Sequence, residues 1–177
     1  FSEVTLCVQC SATHTSKVHD VFHYAQLSAV YPVTQLYDRS IPALKPATVD
    51  AFTRIFVLCD TNKDDVLDDA ELRAFQKFAF GLDVSDAELM HVKELVKADQ
   101  EGAVINGKMT LIGFLALMKR FFEKAQFQTI WEVLRKYGYT NDLRLKDELL
   151  APTIDIPSDC AAELSVSGLG FIDSLFS

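Results

Sequence analysis

The chain has little of what several common protein classes need. Cysteine is scarce: four in 177 residues, with no repeating framework. That argues against a disulfide-stapled secreted domain and for reduced thiols in the cytosol. Cys7 and Cys10 form a C-x-x-C, but no second pair completes a zinc set, and His14 is not spaced as a ligand. They sit in an alternating pattern that points them to opposite faces, so packing is the expected role. Positive charge is in deficit: 17 Lys and Arg against 25 Asp and Glu leave a net charge of −8. That disfavours nucleic acid and anionic membrane surfaces as partners. The longest unbroken apolar run, Leu111 to Met118, is far too short to span a bilayer. No signal peptide is visible, and no direct membrane contact is expected of this segment. What is plentiful is apolar bulk, 49% of the residues. That is enough to bury a core and argues for about one domain, at most two small ones.

Acidic residues concentrate in one stretch, Asp60-Thr61-Asn62-Lys63-Asp64-Asp65-Val66-Leu67-Asp68-Asp69-Ala70-Glu71. Oxygen-bearing side chains fall at positions 1, 3, 5, 9 and 12 of these twelve: Asp60, Asn62, Asp64, Asp68 and Glu71. This is the spacing of an EF-hand calcium loop. A hard cation needs six to eight oxygens from one short segment, and alternate residues of a tight turn can aim inward. Val66 would offer its backbone carbonyl, Asp68 would act directly or through water, and Glu71 would close the site with both carboxylate oxygens. Magnesium is the alternative ion. One position departs from the pattern: the sixth, where the chain turns with positive φ, is Asp65 and not Gly. Aspartate tolerates that region better than most residues, so the expected weakening is on the order of 1 kcal/mol.

The flanks read as helices. Val49, Phe52, Ile55, Phe56 and Cys59 repeat at helical spacing behind Pro46, which suits a first turn. Leu72, Phe75, Phe78 and Ala79 form a second stripe that Gly81 can stop. Ser85 and Glu88 make a capping box for a helix with Leu89, Val92, Leu95 and Val96. Residues 99–110 then take the place of a second loop, with Asp99 and Glu101 at positions 1 and 3 but Ala103 and Thr110 at 5 and 12. This hand is expected to have lost its metal and kept its shape. Met109–Leu111 would pair with Val66-Leu67, and Thr110 would cap a helix carrying Phe114, Met118 and Phe122. Phe127, Ile130, Trp131 and Leu134 give a further amphipathic helix ending at Gly138. It either fills the groove between the hands as a bound partner helix would, or belongs to a common core.

At the start, residues 3–10 alternate as a strand, and Ser16 can cap a helix running to about Val30. Residues 31–45, with Pro32 and Pro42, read as a surface linker. Residues 139–165 are loop-rich, with a short helix around Lys146 to Leu150. Ser167 precedes a last aromatic stripe of Leu169, Phe171, Ile172, Leu175 and Phe176. Phe1 is not an initiator Met and the last stripe reads as an interrupted helix, so the chain reads as part of something longer.

The order of these parts resembles the mitochondrial Rho GTPase (Miro) family. The phrases Ile55-Phe56-Val57-Leu58-Cys59-Asp60, Leu111-Ile112-Gly113-Phe114-Leu115 and Trp131 to Tyr139 carry the resemblance best. It implies two GTPase domains flanking EF-hand units, each unit a visible hand, a hidden hand and a helix that imitates a bound ligand. It places the parent chain on the cytosolic face of the mitochondrial outer membrane, anchored outside this segment. Intramolecular GTPase domains and motor-adaptor proteins would be its partners, in mitochondrial transport and organisation. By the same resemblance residues 1–30 end a GTPase domain, and Ser11 and Ala12 match its guanine-contacting loop. A linker would occupy 31–45 and the hand pair 46–125 (visible 46–80, hidden 85–122). The ligand-mimic helix and its loop would occupy 126–165, and residues 166–177 would start a second unit. GTP would belong to the intact parent, a GTP hydrolase, because no G-x-x-x-x-G-K-[ST] phosphate loop occurs here. Asn62-Lys63-Asp64-Asp65 fits the N-K-x-D guanine motif but follows a helix, and the calcium loop accounts for more of the same residues. The expected fold is therefore mostly α: paired EF-hands, one calcium-competent and one silent, with a ligand-mimic helix, after a strand and helix of an α/β domain. A free-standing calcium sensor, or a scaffold whose loop never fills in the cell, are the rival readings.

Overall fold

The computed structural model describes residues 9–11, 17–38, 40–150, 165, 166 and 169. The chain divides into two units, Phe1–Lys146 and Asp147–Ser177. In the first, α1 (Val18–Val30) precedes a short hairpin of β1 (Tyr37–Asp38) and β2 (Ala43–Leu44). Two helix–loop–helix units follow. One is α2 (Pro46–Cys59), β3 (Val66–Leu67) and α3 (Asp69–Phe80); the other is α4 (Asp86–Asp99), β4 (Val104–Ile105), β5 (Lys108–Thr110) and α5 (Leu111–Glu123). An eleventh element, α6 (Phe127–Lys136), adds to the pair. In the second unit the described residues form α7 (Asp147–Leu150), within the stretch expected to be a short helix. The chain is mostly helical, as expected.

Local signals set the helix ends. Pro46 opens α2 at its first position. Asp68 and Glu71 form a reciprocal capping box on α3, and Ser85 and Glu88 form another on α4. Gly81 ends α3 in the left-handed conformation, φ 69°. Thr110 caps α5 by accepting from Gly113 N.

The hands pair back to back through a ladder in the order β3-β5-β4. Val66 faces Thr110 and Leu67 faces Met109, the pairing expected, while β4, from the same loop as β5, was not anticipated. Below the ladder, Phe114 of α5 touches three rings of the first hand, Phe52, Phe56 and Phe75, with centroids 5.3–6.4 Å apart. These are edge-on or tilted contacts of the kind aromatic pairs prefer. Neither hand closes its apolar face alone. α6 lies against α3 and α5 and buries Ile130, Trp131, Val133 and Leu134. Both earlier readings of α6 hold together: it covers the hand pair, and Trp131 is part of one continuous core.

Several expectations change. The stretch 31–45 does more than link: Val33 and Leu36 are in the core, and Pro32 O accepts from Trp131 Nε1 at 3.2 Å. Proline and irregular spacing hid this, because a hairpin of two-residue strands has no period to read. α1 buries no residue, and its cap position is Lys17, without a side-chain cap bond. Cys10 is exposed and not packed. Phe78 is largely exposed, though its ring meets that of Tyr137 edge-on at 5.0 Å. The strand over 3–8, Cys7, Ala12, Ser16 and nearly all of the expected last helix lie outside the described residues.

Candidate metal centre

The loop between α2 and α3 begins where α2 runs out. Asp60 is the C-terminal cap of α2, and its carboxylate turns back into the loop. Oδ1 accepts from Asp64 N at 3.2 Å and Oδ2 from Asp65 N at 3.0 Å. Asn62 Oδ1 accepts from Asp64 N at 3.0 Å, and Asp64 Oδ1 from Val66 N at 3.3 Å. These turns need left-handed backbone at two places, and Lys63 (φ 59°) and Asp65 (φ 62°) supply it. The missing glycine at the sixth position is thus replaced by an aspartate in the conformation the loop demands.

Glu71 closes the loop. As the third residue of α3 it is held by the helix, so both oxygens reach back. Oε2 accepts from Asp68 N at 3.0 Å, and Oε1 from Thr61 N at 2.8 Å and Asn62 N at 3.3 Å. Asp68 Oδ1 accepts from Ala70 N and Glu71 N. One pair of residues, Asp68 and Glu71, is both helix cap and last two side-chain positions of the loop.

Charge is the unusual feature. Asp60 is 3% exposed and Glu71 8%. Among the described residues neither has an ion pair; backbone amides donate to both. Buried carboxylates without a counter-charge are costly. A cation placed between them would remove that cost, so the donor set fits a divalent ion bound by oxygens. The side chains are not collected as ligands, however. Among the described residues no three His, Cys, Asp or Glu gather closely enough to hold a metal as they stand. Asp64 is the clearest case. Its Oδ2 takes a hydrogen bond from Lys108 Nζ on β5, and that ammonium holds the Asp64 carboxyl below the usual carboxylate range.

The second loop is closed differently. Asp99, its first position, pairs with Arg120 of α5. Thr110 Oγ1, at the twelfth position, donates to Gly102 O at 2.7 Å, where Glu71 of the first loop accepts from backbone amides. The N-K-x-D coincidence also resolves locally: Lys63 Nζ donates to Val57 O, while Asn62 stays within the loop. Ser11 is half-buried, and Ala12 lies outside the described residues. Lys108 and Arg120 were missed in the sequence. Extending the antiparallel register one step beyond Leu67–Met109 would have set Lys108 across from Asp68.

Residues 83–168 match the family described as EF hand associated. Over 175 residues the chain is 39% identical to Mitochondrial Rho GTPase 1 of Caenorhabditis elegans, covering 99% of this chain and 28% of that protein. It is likewise 39% identical to the Caenorhabditis briggsae protein of the same name, and 36% identical to that of Mycosarcoma maydis, covering 27% of the latter. The chain thus spans under a third of the length of the curated relatives it matches. The likeness runs through 99% of the chain, so the chain as a whole is similar to one segment of the mitochondrial Rho GTPases, and it contains an EF-hand-associated region.

Proposed function

We propose that this segment is a calcium-binding regulatory module of a longer mitochondrial GTPase. Calcium would be held by Asp60, Asn62, Asp64, the Val66 carbonyl, Asp68 and Glu71. The observation that carries this is the pair of buried carboxylates, Asp60 and Glu71, with no cationic side chain bonded to either among the described residues. The ion would supply two positive charges there. The chain's own part is to re-aim Asn62 and Asp64 inward and to keep Glu71 fixed through α3. Because Asp60 ends α2 and Glu71 begins α3, drawing them onto one centre fixes the angle between those helices. Magnesium is the competing ion. Its stricter octahedral geometry suits a seven-oxygen loop less well.

The rest of the parent's biology is part of the same proposal. It comprises GTP hydrolysis outside this segment, a place on the cytosolic face of the mitochondrial outer membrane, motor-adaptor partners and a role in mitochondrial transport. The proposed division keeps a GTPase-domain end at 1–30, the hand pair at 46–125 and the covering helix beyond it, with Ser11 and Ala12 in the guanine loop of the parent.

A metal-free scaffold is the second reading. It draws on Glu71, which already closes the loop through three amides. Calorimetric titration separates the two. The wild-type chain is expected to take up one calcium, and Glu71→Ala to weaken uptake at least tenfold. Uptake by neither protein would leave the scaffold. Equal uptake by both would mean that other residues hold the ion.

A further inference from the structure

The first loop is not without a cation; the second hand lends it one. Lys108 is on β5, and β5 is locked to β3 by backbone pairing at Val66–Thr110 and Leu67–Met109. The same register carried one step further sets Lys108 opposite Asp68. Its ammonium therefore reaches the first loop from a rigid strand, and bonds Asp64 Oδ2. The fields of Asp68 and Glu71 act on it as well. Asp64 is the fifth position of the loop, one of the side chains the ion needs. A single carboxylate oxygen faces either the lysine or an inward ion.

We propose that Lys108 is a tethered counter-cation of the calcium loop, bound to Asp64 when the loop holds no ion and displaced from it when calcium enters. The inference rests on the calcium reading above. The second hand supplies an independent parallel. There Arg120 bonds Asp99, the first position of its loop, so in both hands a basic side chain of the second helix–loop–helix occupies an acidic loop position. The two differ in what surrounds the pair. The Arg120 loop has Ala103 and Thr110 where carboxylates would complete a site, so nothing competes with the arginine. The Lys108 loop keeps Asp60, Asp68 and Glu71 for an incoming divalent ion, so the lysine is replaceable. Lys108 is thus a specificity-determining residue that sets the calcium threshold. It also gives the second hand, with no complete ligand set of its own, a direct hold on the first.

Isothermal titration of calcium into the whole chain tests this with three variants. Lys108→Gln removes the competitor and is expected to tighten binding about three- to tenfold, from the loss of one exposed ion pair and one nearby like charge. Lys108→Arg keeps a cation on the strand and is expected to stay within about twofold of wild type. Lys63→Gln makes the same charge change inside the loop. Its ammonium bonds Val57 O and no ligand position, so less than about a twofold change is expected. In chelator, Lys108→Gln should melt about 1–3 °C below wild type, a shift that saturating calcium abolishes. If wild type binds and Lys108→Gln binds no tighter, or if Lys63→Gln tightens binding as much, the inference is overturned while the calcium reading stands. If neither wild type nor Lys108→Gln binds, both fall. Binding by Lys108→Gln alone would support the lysine as the dominant barrier.

Discussion

At the scale of single residues, Gly113 carries a constraint that its helical position does not announce. A Cβ there would lie 2.2 Å from Ala103 O and 3.1 Å from Met109 Cγ. Ala103 O is also where Thr110 N is bonded, at 3.0 Å, so the carbonyl has no freedom to retreat. In an ordinary helix Gly→Ala stabilises; here it should destabilise, by about 1–3 kcal/mol or more, as overpacking does. Chemical denaturation of Gly113→Ala reads the sign directly, and a gain in stability would mean that the loop yields. A second pair makes a pH prediction. Cys59 Sγ and Tyr137 Oη are 3.1 Å apart and half-buried at the seam between α2 and the end of α6. Burial is the larger cause and pushes both acids up, so in the folded chain both stay neutral longer than usual. In the unfolded chain the thiol releases its proton near its ordinary 9.0 and the phenol near 10.0. Above those values the unfolded state binds fewer protons than the native state, and stability falls as pH rises. The contribution is complete below pH 9 and lost progressively above it. Denaturation midpoints at pH 7 and pH 10 should therefore diverge, and Tyr137→Phe should reduce the divergence. An equal loss in both proteins would assign the effect elsewhere.

At the scale of elements, what could be read in the sequence was what has a period or a cap. The helices α2 to α6 follow apolar stripes, two capping boxes and Gly81, all local signals. The twelve-residue loop was legible because its side-chain positions are fixed by the ion's geometry, whichever protein carries it. Two kinds of feature were not legible. The hairpin of β1 and β2 is too short for an alternation to register, yet it delivers Leu36 to the core and Tyr37 to a stacked contact with Phe122 at 5.0 Å. Ion pairs between the two hands form the second kind. Lys108 to Asp64 and Lys93 to Asp69 join residues far apart in sequence, and only the tertiary arrangement says which basic residue meets which acidic one. The pattern that predicts a hand does not say what the neighbouring hand puts into it. The fit of Lys93 shows how tightly the two are bound: besides Asp69 it bonds Gly107 O, in the turn that leads into β5.

At the scale of the whole molecule, the question is how far the proposed calcium could move the hands. In hand pairs that open, the exposed groove recruits a separate helix. Here the groove is covered by α6 of the same chain, which buries Ile130, Trp131, Val133 and Leu134, each 0% exposed. Returning four such side chains to water costs roughly 6–12 kcal/mol, at about 1.5–3 kcal/mol each. A ligand shifts an equilibrium only by its differential affinity for the two states. Calcium at a hundred times its dissociation constant for an open form alone would supply about 2.7 kcal/mol. The packing term wins by a wide margin, so calcium is expected to tighten the first loop and adjust α2 against α3 without releasing α6. The single tryptophan reports on this, because Trp131 Nε1 is tied to Pro32 O and its ring lies beneath the Arg135 guanidinium. Its emission should be that of a buried indole, and neither its maximum nor its quenching by iodide should change appreciably between chelator and saturating calcium. A red shift with new access to iodide on adding calcium would mean that α6 leaves, and that the hand pair works as an opening switch.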